Sequence, residues 1–233
     1  MKSQKGVLSI EYHEERERSH ALKYRLTRRT NEVLKVIKLY KGNEIENLCD
    51  IGTADGMMLD LLGQNLNIKT AVGLDFSIEL LRTNKNPALN LLAGDALKLP
   101  FKEDSFDVVV ATAVIEHVSD AGNMLGECWR ILKEGGLCIL TTPDPFFEHI
   151  ATSVGHLKDK QHVKTFKLSE LVYLLKAKGF QILKTEKFMM SPIGFPYEVK
   201  IERIMKLVKL DFLLLNQLVA AQKTSQFYSS SFA

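Results

Sequence analysis

Short apolar runs and longer amphipathic stretches alternate along almost the whole chain. Residues 45–50, 70–75, 89–93, 106–112 and 136–142 have the length and composition of strands buried on both faces. Between them, 57–66, 78–84 and 121–132 repeat apolar positions at helical spacing. Such alternation predicts βαβ units and a parallel sheet with helices on both faces. Lys133-Glu134-Gly135-Gly136 predicts a left-handed glycine cap on the helix before the fifth strand. Further on, a helix capped by Ser169 and closed by Gly179 precedes a sixth strand over 181–190. A helix over 197–210 and a last strand over 214–222 complete the pattern.

The first forty residues fit this pattern differently. Residues 11–40 begin densely charged and then gain helical periodicity through Leu26, Val33, Leu34, Ile37 and Leu39. Two readings stay open, a solvated helix against the sheet edge and a lid over a ligand. Lys23, Arg25, Arg28 and Arg29 read as a solvated basic face. The expected organisation is therefore an N-terminal helical segment over 1–40 and one domain over 41–223. Within that domain, segments around 143–168 and 191–211 are expected to cover a substrate, and 224–233 to form a flexible tail.

Composition narrows the class. A chain of 233 residues with 45% hydrophobic side chains can bury one α/β core. Its net charge of +3 lacks the concentrated basic excess of a nucleic-acid binder, so no nucleic-acid partner is expected. Cys49, Cys128 and Cys138 form no CxxC pair, which suits a reduced, cytoplasmic protein. No signal-peptide core opens the chain, and no apolar run reaches the ~20 residues of a membrane span. His13 and His20 lie outside any HExxH pattern, so no metal site is expected.

Candidate chemistry gathers at the strand ends. Asp50-Ile51-Gly52-Thr53-Ala54-Asp55-Gly56 is a small-residue turn between a strand and a helix, where backbone can approach a ligand closely. Asp75 ends the second strand, where a carboxylate can accept both ribose hydroxyls of an adenosine, and Phe76 can lie against the adenine. Gly94-Asp95-Ala96 follows the third strand, with a carboxylate for the exocyclic amine and an N–H for a ring nitrogen. Ala113-Val114-Ile115-Glu116-His117 follows the fourth, and Thr141-Thr142-Pro143-Asp144 ends the fifth.

These five blocks, in this order, resemble the class I S-adenosylmethionine-dependent methyltransferases, a broad group that includes quinone-biosynthesis O-methyltransferases. The resemblance spans residues 45–187 and more loosely the last strand. It implies a Rossmann-like seven-stranded, mostly parallel α/β sheet whose last strand is antiparallel, and S-adenosyl-L-methionine as cofactor. It assigns Asp50, Gly52 and Gly56 to the methionine part, Asp75 to ribose, Asp95 and Ala96 to adenine, and Ala111 and Thr112 to the methionine end, with Thr53, Ala54 and Phe76 as neighbouring cofactor-site candidates. The chain departs from the family at Ala54, where glycine is common, and Asp55 adds a carboxylate beside it.

The implied activity is methyl transfer to a small or amphipathic organic acceptor, at oxygen, with His117 and His162 as candidate bases. His149, His156 and Asp144 are weaker candidates in the same region. The absence of an Asn/Asp-Pro-Pro-aromatic turn after strand four argues against amino-methylation of adenine or glutamine. Phe146, Phe147, Phe180, Phe188, Phe195 and Tyr197 are expected to cover the acceptor. Lys200, Arg203, Lys206 and Lys209 among apolar residues leave either ordinary packing or peripheral contact with a membrane surface. Two rival classes stand beside this reading: a binding protein that keeps the fold without catalysis, and a methyltransferase acting on RNA or protein.

Overall fold

The computed structural model describes residues 10–145 and 163–224. Helices α1 (Ile10–Arg18) and α2 (His20–Tyr40) lead into β1 (Glu44–Ile51), α3 (Met57–Asn65), β2 (Asn67–Asp75) and α4 (Ile78–Leu81). Then follow β3 (Asn90–Ala93), β4 (Phe106–Thr112), α5 (Ala121–Ile131), β5 (Leu132–Pro143), α6 (Leu168–Ala177), β6 (Phe180–Phe188), α7 (Glu198–Leu207), a 3-10 turn (Asp211–Leu213) and β7 (Asn216–Lys223).

The seven strands form one sheet in the order β3-β2-β1-β4-β5-β7-β6. β7 runs antiparallel to both of its neighbours, and every other pairing is parallel. This is the Rossmann-like arrangement that the resemblance implies, and its parallel part is what the alternation of elements predicts.

Period-two alternation explains why both faces are covered. Along β4, Val109 and Ala111 enter one buried cluster with α5 and α6, while Val108 and Val110 enter a second with α2 and α3. β5 divides Cys138 and Leu140 from Leu137 and Ile139 in the same way. The three cysteines are buried and unpaired.

Several local expectations are corrected. The N-terminal segment is broken at Ser19, whose hydroxyl accepts the Leu22 N–H and caps α2. α2 does not lie at the sheet edge: Val33, Val36 and Ile37 pack on the central strands. The helix expected over 78–84 stops at Leu81, because Asn84 turns its amide onto the Asp55 carbonyl (2.6 Å). Gly135 is left-handed as expected (φ 72°) but sits within β5, and α5 ends in extended Leu132. α6 is capped by Lys167, whose N–H the Glu170 carboxylate accepts, and Ser169 lies inside the helix.

Candidate cofactor site

Parallel strands carry their following loops to one edge of the sheet. The register aligns Ile51 with Leu74, Asp75 with Ala93, Ile51 with Ala111 and Thr112 with Thr141. The loops after β1, β2, β3 and β4 therefore converge where ligands bind in open α/β sheets. Left-handed backbone also gathers at this edge, at Ala54 (φ 54°), Ala113 (φ 54°) and Met189 (φ 69°). Non-glycine residues adopt that conformation at a cost, and such strain concentrates at functional loops.

The first loop is fixed by its neighbours. Gly52 and Thr53 donate their N–H groups to the Leu74 carbonyl at 2.7 and 3.1 Å, and Gly56 donates to Thr53 at 2.9 Å. Gly52 is left-handed (φ 70°), and a Cβ there would stand 2.2 Å from Val114 Cγ2, so only glycine fits. Ala54 takes a backbone conformation that glycine adopts freely, at the position where the family commonly has glycine.

Three carboxylates surround this loop on different terms. Asp50 is sealed inside and accepts the Thr53 hydroxyl at 2.7 Å. Burial, with Asp75 nearby adding to it, pushes its pKa up to about 7 despite that hydrogen bond. Asp75 is half-buried at the tip of β2; Oδ2 accepts the Ala54 N–H and Oδ1 the Ser77 N–H, each at 2.8 Å. Burial raises its pKa, and the N–H groups of Ser77 and Ala54 counteract part of that rise. Ser77 rather than Asp75 caps α4, so the Asp75 carboxylate keeps lone pairs for a ligand.

Asp55, 1% exposed, is held from outside the loop. His13 Nδ1 lies 2.7 Å from Asp55 Oδ2, and the Arg16 guanidinium pairs with the same oxygen. Helix α1 is thus latched onto the loop by two side-chain contacts. Spacing within the chain does not reveal this pairing, because 42 residues separate His13 from Asp55.

The remaining candidates are spread around the edge. Phe76 is 52% exposed beside Asp75. Asp95 is exposed and accepts the Leu97 N–H at 2.8 Å, with half-buried Ala96 next to it. Ala111 is fully buried within β4, whereas Thr112 is half-buried at the strand tip. His117 is half-buried in the turn after β4, its N–H donating to Val114 at 2.8 Å. Asp144 pairs with Lys187 at 2.5 Å. His149, His156, His162, Phe146 and Phe147 lie outside the described residues.

Two groups of expectations fail here. Phe180 and Phe188 are core residues, and among the described residues Phe195 and Tyr197 are the exposed aromatics of the expected cover. Arg28 is not on a solvated face, for it is buried and pairs with Glu32 (2.7 Å) and Glu202 (2.8 Å). Glu116 is 1% exposed, and among the described residues neither carboxylate oxygen finds a hydrogen-bond donor. Its type and its place in the block after β4 were visible, but its burial was not.

A family profile described as a methyltransferase domain matches residues 49–140. Over these residues the chain is similar to the methyltransferase-domain family. Demethylmenaquinone methyltransferases resemble it in sequence: that of Streptomyces avermitilis is 44% identical over 71 residues, covering 30% of this chain and 31% of that protein. The Listeria welshimeri protein is 32% identical over 124 residues, covering 49% and 51%. The chain thus spans about half the length, or less, of these relatives. In fold, it superposes on a chain of the complex between the Haloferax volcanii Trm112 methyltransferase activator and a methyltransferase, with a TM-score of 0.66, 21% identity and 90% of each chain covered. A methyltransferase structure from Thermotoga maritima gives 0.63 at 20% identity, covering 84% of this chain and 89% of that one.

The methyltransferase edge fits its cofactor. S-adenosylmethionine is cationic at sulfur and presents two ribose hydroxyls. Half-open Asp75 supplies acceptor lone pairs at that edge, with Asp50 sealed beneath the loop. Among the described residues, no helix is long and apolar enough to cross a membrane, and no cluster of His, Cys, Asp and Glu suits a metal.

Proposed function

We propose that the protein transfers a methyl group from S-adenosylmethionine to an oxygen of a small amphipathic acceptor. The observation that carries this is the convergence of Asp50, Asp75 and a strained loop on one sheet edge, beside exposed Phe76. When bound, S-adenosylmethionine supplies an electrophilic methyl group on a positively charged sulfur.

The chain's own residues bind, orient and exclude water. Asp75 accepts the ribose hydroxyls, Phe76 covers the adenine, and Asp95 with the Ala96 N–H lines the adenine edge. The loop from Gly52 to Gly56, with Asp50 beneath it, holds the methionine part, and Thr112 borders it from β4. α1, latched through His13 and Arg16, covers the loop and keeps water out. His117 takes the proton of the acceptor hydroxyl. Holding acceptor and methyl in line supplies most of the rate, since alignment of bound reactants can remove about 7–11 kcal/mol of barrier. Two relatives named demethylmenaquinone methyltransferases favour a quinone-like acceptor.

Calorimetric titration with S-adenosylhomocysteine tests the binding half. Asp75→Ala, which removes charge-assisted hydrogen bonds, should weaken affinity by about 10- to 100-fold. No binding by well-folded wild-type protein would overturn the proposal. Labelled-methyl transfer to hydroxylated and to amine-bearing amphiphiles then tests the acceptor. Transfer confined to amines would overturn oxygen as the target atom.

A further inference from the structure

Helix α7 is built inside out. Glu198, Glu202 and Met205, spaced four and three residues apart, form its buried stripe. The two acids bind inward: Glu198 accepts the Tyr24 hydroxyl (2.5 Å) and the N–H groups of Met190 (2.8 Å) and Ser191 (3.0 Å), and Glu202 pairs with Arg28. The outward stripe carries the apolar residues instead. Leu207 is 83% exposed, with Ile204 and Val208 beside it. Exposed Ile193 and Tyr197 continue the surface before the helix, and Phe212 after it.

Charge follows the same division. Lys200, Arg203 and Lys209 stand exposed among these apolar residues, against one exposed acid, Asp211. Lys206 turns back to Glu186. The helix therefore spends its carboxylates inside and presents a cationic, apolar surface outside. Apolar patches of this extent mark interaction sites. Two copies meeting face to face would oppose cation to cation. Apolar side chains that enter a headgroup layer, flanked by Lys and Arg, suit an anionic lipid surface.

We propose that α7 and its flanking turns dock on an anionic phospholipid surface. The Phe188–Asn216 and Pro143–Asn216 pairings put α7 and its turns at the end of the sheet that carries the cofactor loops. Docking thus brings the acceptor side to the bilayer, a consequence that rests on the amphipathic-acceptor reading. The docking itself is measured without cofactor or acceptor, so the two can fail separately.

The test is flotation of the full chain with phosphatidylcholine vesicles, with and without phosphatidylglycerol. Wild-type protein should float with the anionic vesicles and be released by salt. Leu207→Ser and Phe212→Ser should each lower binding by about tenfold, since each removes a buried apolar side chain from the lipid. The combined Lys200→Glu, Arg203→Glu and Lys209→Glu variant should abolish the preference for anionic lipid. Tyr173→Ser, an exposed aromatic on α6, should float as wild type does. Circular dichroism confirms that each variant is folded. Failure of folded wild type to float, or flotation unchanged by the α7 substitutions, would overturn the proposal. So would a concentration-dependent dimer that Leu207→Ser dissociates, which would make this face a self-interface.

Discussion

Helices α5 and α7 are nearly equal in length and both amphipathic, yet they face the protein with opposite sides. α5 buries Met124, Leu125, Cys128 and Ile131 against the sheet, while half-buried Arg130 and Glu127 pair with each other. α7 buries Glu198 and Glu202 and turns Ile204 and Leu207 outward. Apolar burial stabilises α5 without needing a particular partner. α7 depends on specific cations and donors from a helix 174 residues earlier in the chain. A buried charge is costly unless paired, so α2 and α7 must form together.

The sharpest way to break this contrast is Arg28→Ala. It leaves Glu202 without its cation in a buried setting and should cost about 3–5 kcal/mol in urea unfolding. Leu125→Ala in α5 should cost about 3 kcal/mol through its cavity. If the arginine variant proved the milder of the two, the charged contacts would not be what holds α7.

Asp50 sharpens the contrast from the other side, being a buried acid whose partner is a hydroxyl rather than a cation. Its folded pKa of about 7 lies above its ordinary 3.8, so between these values the folded protein keeps a proton that the unfolded chain releases. Its contribution to stability is therefore full below the ordinary value and is lost as pH rises to about 7. Asn at this position stays neutral. The melting temperature of Asp50→Asn relative to wild type should accordingly climb by several degrees between about pH 4 and about pH 8. A difference that is flat across that range would mean that Asp50 titrates normally. The smallest effect belongs to Leu207→Ser, which should change stability by no more than about 0.5 kcal/mol while weakening vesicle binding.

Most of the fold was legible because it rests on local rules. Strands buried on both faces must read as continuous apolar runs, and the helices between them must carry apolar stripes. The acids and small residues at strand tips were legible for the same reason, since their chemistry belongs to the type of turn that holds them. Caps and helix ends were less so. Lys167 outcompeted Ser169 because Glu170 could reach its N–H, and α4 stopped where Asn84 found the Asp55 carbonyl.

Residue order alone therefore determined a mostly parallel α/β sheet and the acids and small residues placed at its strand tips. Tertiary structure decided which charges are spent. Arg28, one of four basic residues on what reads as a solvated face, became a buried ion-pair partner because α7 brought Glu202 to it. Asp55 became a latch point because α1 folded back with His13 and Arg16. Hydrophobic periodicity assumes that apolar residues turn inward. α7 reverses that rule, because α2 places Arg28 and Tyr24 where its acids can pair, and only the folded neighbours determine that.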